Sequence, residues 1–289
     1  MSSKDESSTR TIRIAHSPDS DDAYMFWAIK HGFVTLPGFE FSVERRDIEE
    51  LNQLAVTGDY EITAVSFHAY AYLHDKYDLL ASGASFAEKD YGPMLVAKTK
   101  AAIDKPQLLI AVPGEWTTAC LLLKLFLPQV QTRAMSFDKI MDTVGVGEVD
   151  AGLLIHEGQM QYAEQGLVCV AKMLDVWNGV SAKAGKPGLP LPLGGNAIRK
   201  DLGEPLKGQL AALMHESIAY ARAHHAAARD YALSFKRDLT DAQADLYLSW
   251  YANERTLDMG ADGQKAVQVL LDEAFAQGLI PKKIVPIIL

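Results

Sequence analysis

Short runs of aliphatic and β-branched residues alternate with stretches whose apolar positions recur three and four residues apart, beginning at Thr11. The short runs predict strands over Ile12–Ala15, Phe39–Arg45, Glu61–Val65, Met94–Ala97, Leu108–Val112, Ala151–Ile155 and Val168–Ala171. The helical spacing predicts helices over Asp22–Lys30, closed by Gly32, and over Ile48–Thr57, closed by Gly58. Phe67–Leu73, Thr117–Leu127 and a segment near Phe137–Val144 complete that set. Such alternation predicts mostly parallel sheets flanked by helices.

The texture changes at Gly185–Gly195. Pro187, Pro190 and Pro192 forbid continuous helix there and disfavour a central strand. Beyond it the pattern is nearly all helix: Leu210, Leu213, Met214, Ile218 and Ala221 keep helical spacing, and helices follow near Asp241–Arg255 and Asp262–Gln277. The polar first ten residues read as a frayed arm. The expected architecture is α/β with two lobes and a ligand cleft between them. Lobe 1 is assigned residues 1–95 and 197–289, and lobe 2 residues 96–196, so the chain crosses between lobes twice.

A chain of 289 residues has ample surface to bury for two such units. Its 28 Lys+Arg against 37 Asp+Glu give a formal charge of −9, and no basic cluster is visible, which argues against nucleic-acid binding. Cys120 and Cys169 lie in apolar runs and read as buried thiols of a reducing compartment. The polar N-terminus has no stretch of about 7–15 apolar residues to serve as a secretory signal, and no run approaches the roughly 18 of a membrane helix. The expectation is a cytoplasmic protein with no membrane partner, monomeric or homodimeric.

Four strand-to-turn transitions carry polar residues: His16-Ser17-Pro18-Asp19-Ser20-Asp21-Asp22, Val65-Ser66-Phe67-His68, Val112-Pro113-Gly114-Glu115-Trp116-Thr117-Thr118, and Ile155-His156-Glu157. In open α/β sheets ligands bind outside the carboxyl ends of strands, so these four turns are candidates to share one cleft. Thr117 and Thr118 head a helix whose first amides and dipole would suit a carboxylate or phosphate, and Ser66 offers the same arrangement. Both Ser66 and Thr117 equally suit plain helix capping. Asp19, Asp21 and Asp22 suit a hard cation by residue type. They fail the calcium-loop pattern, which has Gly at the sixth position and Glu at the twelfth, where this chain has Tyr24 and Lys30. Asp21 or Asp22 could instead cap the helix or accept hydrogen bonds from substrate hydroxyls. His156 directly follows an apolar strand, where an imidazole can take a proton near neutral pH. His68 and His74 read as packing residues, His31 and His224-His225 as residues of helix ends, and His16 is ambiguous. Dinucleotide, phosphate-loop, nucleophile-elbow and zinc-protease motifs are absent from the sequence.

Read together, these segments resemble the 1,4-dihydroxy-6-naphthoate synthase family of the futalosine route to menaquinone, which has a type II periplasmic-binding-protein-like fold. The resemblance runs from about Ile12 to the last helix. It is carried by Ser17-Pro18 with Asp22, Glu50-Leu51-Asn52, Val65-Ser66-Phe67-His68-Ala69-Tyr70, Tyr91-Gly92-Pro93, Val112-Pro113-Gly114 with Thr117-Thr118-Ala119, Ile155-His156-Glu157, Leu191-Pro192-Leu193-Gly194-Gly195 with Arg199, and Leu257-Asp258-Met259-Gly260. It implies a carbon–carbon lyase that needs no metal or organic cofactor. This enzyme would convert cyclic dehypoxanthinyl futalosine, a small carboxylate, into 1,4-dihydroxy-6-naphthoate with loss of a small carbon fragment. The implied base is His156, and the implied substrate contacts are Asp22, Asn52, Ser66, Thr117 and Thr118. Where the family commonly reads Ser-Pro-Cys-Pro-Asn-Asp, this chain has Ser17-Pro18-Asp19-Ser20-Asp21-Asp22, a more acidic and less rigid turn. Two rival functions share the fold: a cytoplasmic or exported solute-binding protein for a small carboxylate, and chorismate dehydratase of the same route.

Overall fold

The computed structural model describes residues 9–235 and 239–289; residues 1–8 of the expected arm lie outside that range. The strands are β1 (Arg10–His16), β2 (Phe39–Arg45), β3 (Ile62–Ser66), β4 (Tyr77–Leu79), β5 (Ser85–Ala87), β6 (Met94–Ala97), β7 (Leu109–Val112), β8 (Gln131–Ala134), β9 (Ala151–Leu154), β10 (Val168–Lys172) and β11 (Leu191–Arg199). They form two sheets, one ordered β2-β1-β3-β11-β4 with β5 beside β11, the other β10-β6-β9-β7-β8. The helices are α1 (Ser20–Lys30), α2 (Ile48–Thr57), α3 (Phe67–Leu73), α4 (Thr118–Phe126), α5 (Ile140–Val146), α6 (Gly158–Gln161), α7 (Met173–Lys183), α8 (Glu204–Ala223), α9 (His225–Leu233), α10 (Asp241–Tyr251), α11 (Glu254–Leu257) and α12 (Gly260–Ala276). No helix among the described residues is long and apolar enough to cross a membrane.

The expected parallel pairings are present: β1 with β2 and β3, and β7 with β8 and β9. The strands that follow each change of sheet, β6 and β11, run antiparallel to their neighbours. Since β6 already belongs to the second sheet and β11 to the first, the breaks expected at 95/96 and 196/197 fall inside these strands. The crossings precede Met94 and Leu191.

β11 also corrects the expectation that the proline-rich segment stays out of the sheet. Pro192 faces Phe86 of β5, beside a register shift, and β3 joins on the other side only from Gly194. The missing proline N–H therefore falls where one flank is unpaired. The helix expected near Asp241–Arg255 is broken in two because Asn253 accepts from the Arg255 amide at 2.9 Å and starts α11 as a cap.

Helix α1 is buried on every side from Ser20 to Ile29, packed against α8, α9 and α10. Its leading turn is consequently held rigidly at the cleft. Behind the cleft one apolar cluster runs through both lobes, joining Phe67 and Tyr70 of α3, Leu121 of α4, Trp177 of α7 and Leu270 of α12.

Candidate functional site

All four polar turns open onto one cavity between the two sheets. Asp19 and Asp22 reach it from the end of β1, Ser66 from β3, Thr117 and Thr118 from the end of β7, and His156 from the end of β9. β1 and β3 are parallel neighbours in one sheet, and β7 and β9 in the other, so their carboxyl ends point the same way. Among the described residues that line the cavity none is lysine or arginine.

The acidic side is built around His156. Its Nδ1 pairs with the Asp19 carboxylate across the lobes. The Phe137 ring meets the imidazole edge-on, with centroids 4.7 Å apart. His156 has φ +54°, left-handed backbone for a non-glycine residue, and Gln159 Nε2 donates to its carbonyl at 2.9 Å. Gln159 in turn accepts from the Gly92 amide at 2.8 Å and donates to the Tyr251 hydroxyl at 3.2 Å, which ties the His156 turn to the crossover and to α10.

Asp22 accepts from the Ser17 amide at 2.8 Å. Burial, reinforced by the Asp19 charge, pushes its carboxyl up to about 6 against the pull of the Ser17 bonds and of His156. Asp21 is raised well above the carboxylate range by the same burial and by Asp22, Asp19 and Glu157. Near neutral pH Asp21 keeps its proton and can donate a hydrogen bond to a ligand oxygen, whereas Asp22 is largely ionised and accepts. The stability consequence has a definite sign. The folded state binds the Asp22 proton more tightly than the unfolded chain does, so this group favours folding below about pH 4 and loses that contribution as pH rises through about 6. Asp22→Asn, which keeps an acceptor for Ser17, is expected to raise stability by about 2 kcal/mol at pH 8 and to leave it unchanged at pH 4. Calorimetric melting at the two pH values checks this; equal shifts at both would refute it.

On the opposite side the hydroxyl residues divide. Thr117 caps α4, accepting from the Cys120 amide at 3.2 Å. Ser66 makes no cap bond; its hydroxyl accepts from Asn52 Nδ2 at 3.2 Å, and its amide donates to Asn52 Oδ1 at 2.9 Å. Asn52 is fully buried and does not line the cavity. Its amide is occupied with Ser66, so it holds the wall in shape where direct substrate contact was expected. The Thr118 hydroxyl donates to the Leu193 carbonyl at 2.5 Å and accepts from the His68 amide at 3.2 Å. What Thr118 offers the cavity is therefore its place in the first turn of α4, whose amides have no acceptor within the helix. Glu49 closes the seam nearby, accepting from the Trp116 amide at 3.2 Å.

His68 is buried, its Nδ1 3.2 Å from the Thr117 carbonyl, and burial lowers its imidazole to about 4. His16 stacks on Phe26 at 4.8 Å, lies 2.6 Å from the Ser17 carbonyl and is likewise lowered to about 4 by burial. Both are neutral packing groups. The sequence does not single out Gln159, Tyr247 and Tyr251, which complete the wall. The two tyrosines sit four apart on α10, a spacing that also describes any core-facing pair.

The chain as a whole is similar to known proteins. A family model described as menaquinone biosynthesis matches residues 12–276. A 1,4-dihydroxy-6-naphthoate synthase from Thermus thermophilus is 37% identical over 268 residues, covering 93% of this chain and 95% of the relative. A crystal structure from Archaeoglobus fulgidus superposes with a TM-score of 0.85 at 44% identity, covering 93% of this chain and 98% of the other. An alkanesulfonate-binding protein from Xanthomonas axonopodis, solved with bound MOPS, shares the fold at TM-score 0.66 and 14% identity, with 96% of each chain covered.

Proposed function

The chain belongs to the menaquinone-biosynthesis family, and from that membership we propose that it is a 1,4-dihydroxy-6-naphthoate synthase, a carbon–carbon lyase acting on cyclic dehypoxanthinyl futalosine. The observation that carries the proposal is the convergence of His156 and the first turn of α4 on one cavity. The substrate carboxylate docks at Thr117 and Thr118, where helix amides and dipole supply positive potential in a cavity wall without basic side chains. This orients the hydroxylated ring toward Asp21, Asp22 and His156. His156 takes a proton from the sugar-derived ring, and cleavage of a carbon–carbon bond expels the small fragment. Formation of the aromatic dihydroxynaphthoate drives the step. Site of action in the cytoplasm belongs to the same proposal.

Incubating the purified protein with cyclic dehypoxanthinyl futalosine, and separately with chorismate, tests it by chromatography of the products. Release of 1,4-dihydroxy-6-naphthoate from the first alone is expected. Product from chorismate alone would replace the proposal with the dehydratase, and no product from either would leave a binding protein.

Lobe closure is part of the chemistry, because it excludes water and aligns groups held on different sheets. A Cβ on Gly114 would lie 2.7 Å from Glu49 Cβ and closer still to the carboxylate that accepts from Trp116. Gly114→Ala is expected to part this seam and lower kcat/KM roughly tenfold with little change in melting. Unchanged kinetics would show that the Glu49 seam is not needed for closure.

A further inference from the structure

We propose that Asp19 is the positioning residue of His156: its carboxylate, carried by the opposite lobe, holds the imidazole through Nδ1 and leaves Nε2 as the proton-accepting nitrogen.

Three observations carry this. First, Asp19 stands at the N-cap of α1 yet makes no side-chain cap bond. An Asp there ordinarily accepts from an amide of the first turn, worth about 1 kcal/mol. Here the carboxylate is turned away from the helix and onto His156. Second, the carboxylate is itself held: Ser17 Oγ donates to its Oδ2 at 2.9 Å, and the Asp19 amide returns a bond to Ser17 Oγ at 3.2 Å. Third, the pair is buried, with side-chain exposures of 4% for Asp19 and 12% for His156, and the His156 backbone is kept at φ +54°. Left-handed backbone costs a non-glycine residue about 1–2 kcal/mol and persists where surrounding contacts fix it.

A carboxylate on one imidazole nitrogen fixes the tautomer and stabilises the imidazolium that forms when the other nitrogen takes a proton. Because Asp19 and His156 sit on different lobes, the base would be fully oriented only when the lobes meet.

The inference rests on His156 being the base, and its test keeps the two claims apart. Asp19→Asn preserves shape and removes the charge; His156→Gln serves to assign the resonance. The other titratable groups around the imidazole are Asp21, Asp22, Glu157, Tyr247 and Tyr251. Asp19 also raises Asp22, so the acid limb of a rate profile would move in the variant even without an effect on His156. The His156 titration must therefore be read directly, by NMR of the full-length protein labelled in histidine nitrogen. In Asp19→Asn the His156 midpoint is expected to fall by at least about one unit. In parallel kcat is expected to fall roughly 10- to 100-fold with KM nearly constant. A matching melting temperature confirms the fold. An unmoved His156 midpoint would overturn the inference and leave Asp19 as a lobe contact only. Should His156→Gln remain active, the base assignment fails, while the titration still reports whether Asp19 holds the ring.

Discussion

Replacing His156 by glutamine is expected to cut kcat by roughly a thousandfold, about 4 kcal/mol of transition-state stabilisation, while leaving product affinity within a few-fold. The asymmetry follows from where the binding groups sit. Ser66, Thr117 and Thr118 reach the cavity from turns that hold their shape through Asn52, Cys120 and Leu193, none of which involves the imidazole. Glutamine is the informative replacement because its amide can still donate to Asp19. Alanine would leave a buried carboxylate without its partner, and lost folding would then be confused with lost chemistry. Steady-state kinetics with titration calorimetry of 1,4-dihydroxy-6-naphthoate separates the two effects. Turnover within tenfold of the parent would remove His156 from the role of base, and an equal collapse of binding would make it a contact residue instead.

Much of this site was legible because strand-end turns advertise themselves. An apolar run followed by Ser-Pro-Asp, Ser-Phe, Pro-Gly or His-Glu marks a carboxyl end, and parallel strands bring such ends to one side. Local capping was legible only in part. Thr117 caps as its spacing suggests, whereas Ser66, in the same kind of position, bonds to Asn52. That choice depends on a side chain 14 residues away and has no local signature. The pairing of Asp19 with His156 was illegible for the same reason. In the sequence Asp19 stands only as one acid of a cluster that suits a hard cation by residue type, and nothing in the turn reveals that a histidine from the other sheet would engage its carboxylate. The sheet boundaries were missed because nothing in the sequence of β6 or β11 says which sheet each strand joins. Pro192 misdirected the assignment of β11, since composition cannot show that one flank of the strand is open at that residue. The tyrosines of α10 merge into a helix that also packs against α1, so their cavity-facing role carries no separate periodicity.

The largest expected loss of stability lies far from the cavity, at Lys207. Lys207 of α8 places its ammonium 2.6 Å from Asp78 of β4, with side-chain exposures of only 5% and 2%. Asp78 sits in the strand that pairs with β11, opposite Ile198, so its carboxylate cannot turn to solvent without disturbing the sheet edge. The paired acids Asp78 and Glu204 hold the ammonium above its usual range, and the pair stays intact through neutral pH. Lys207→Ala removes the partner and leaves the carboxylate buried, a change that costs about 3–5 kcal/mol in comparable settings. Lys200, 3.3 Å from the other Asp78 oxygen, keeps the expected value near the lower bound, about 3 kcal/mol, or roughly 6–12 °C in melting temperature. Removing both charges should cost less than removing one. Lys207→Ala combined with Asp78→Ala is therefore expected to melt above Lys207→Ala alone, because no uncompensated charge remains inside. Turnover at a temperature where both variants are folded should match the parent, as neither residue lines the cavity. Additive losses in the double variant would show that Asp78 and Lys207 contribute by packing alone.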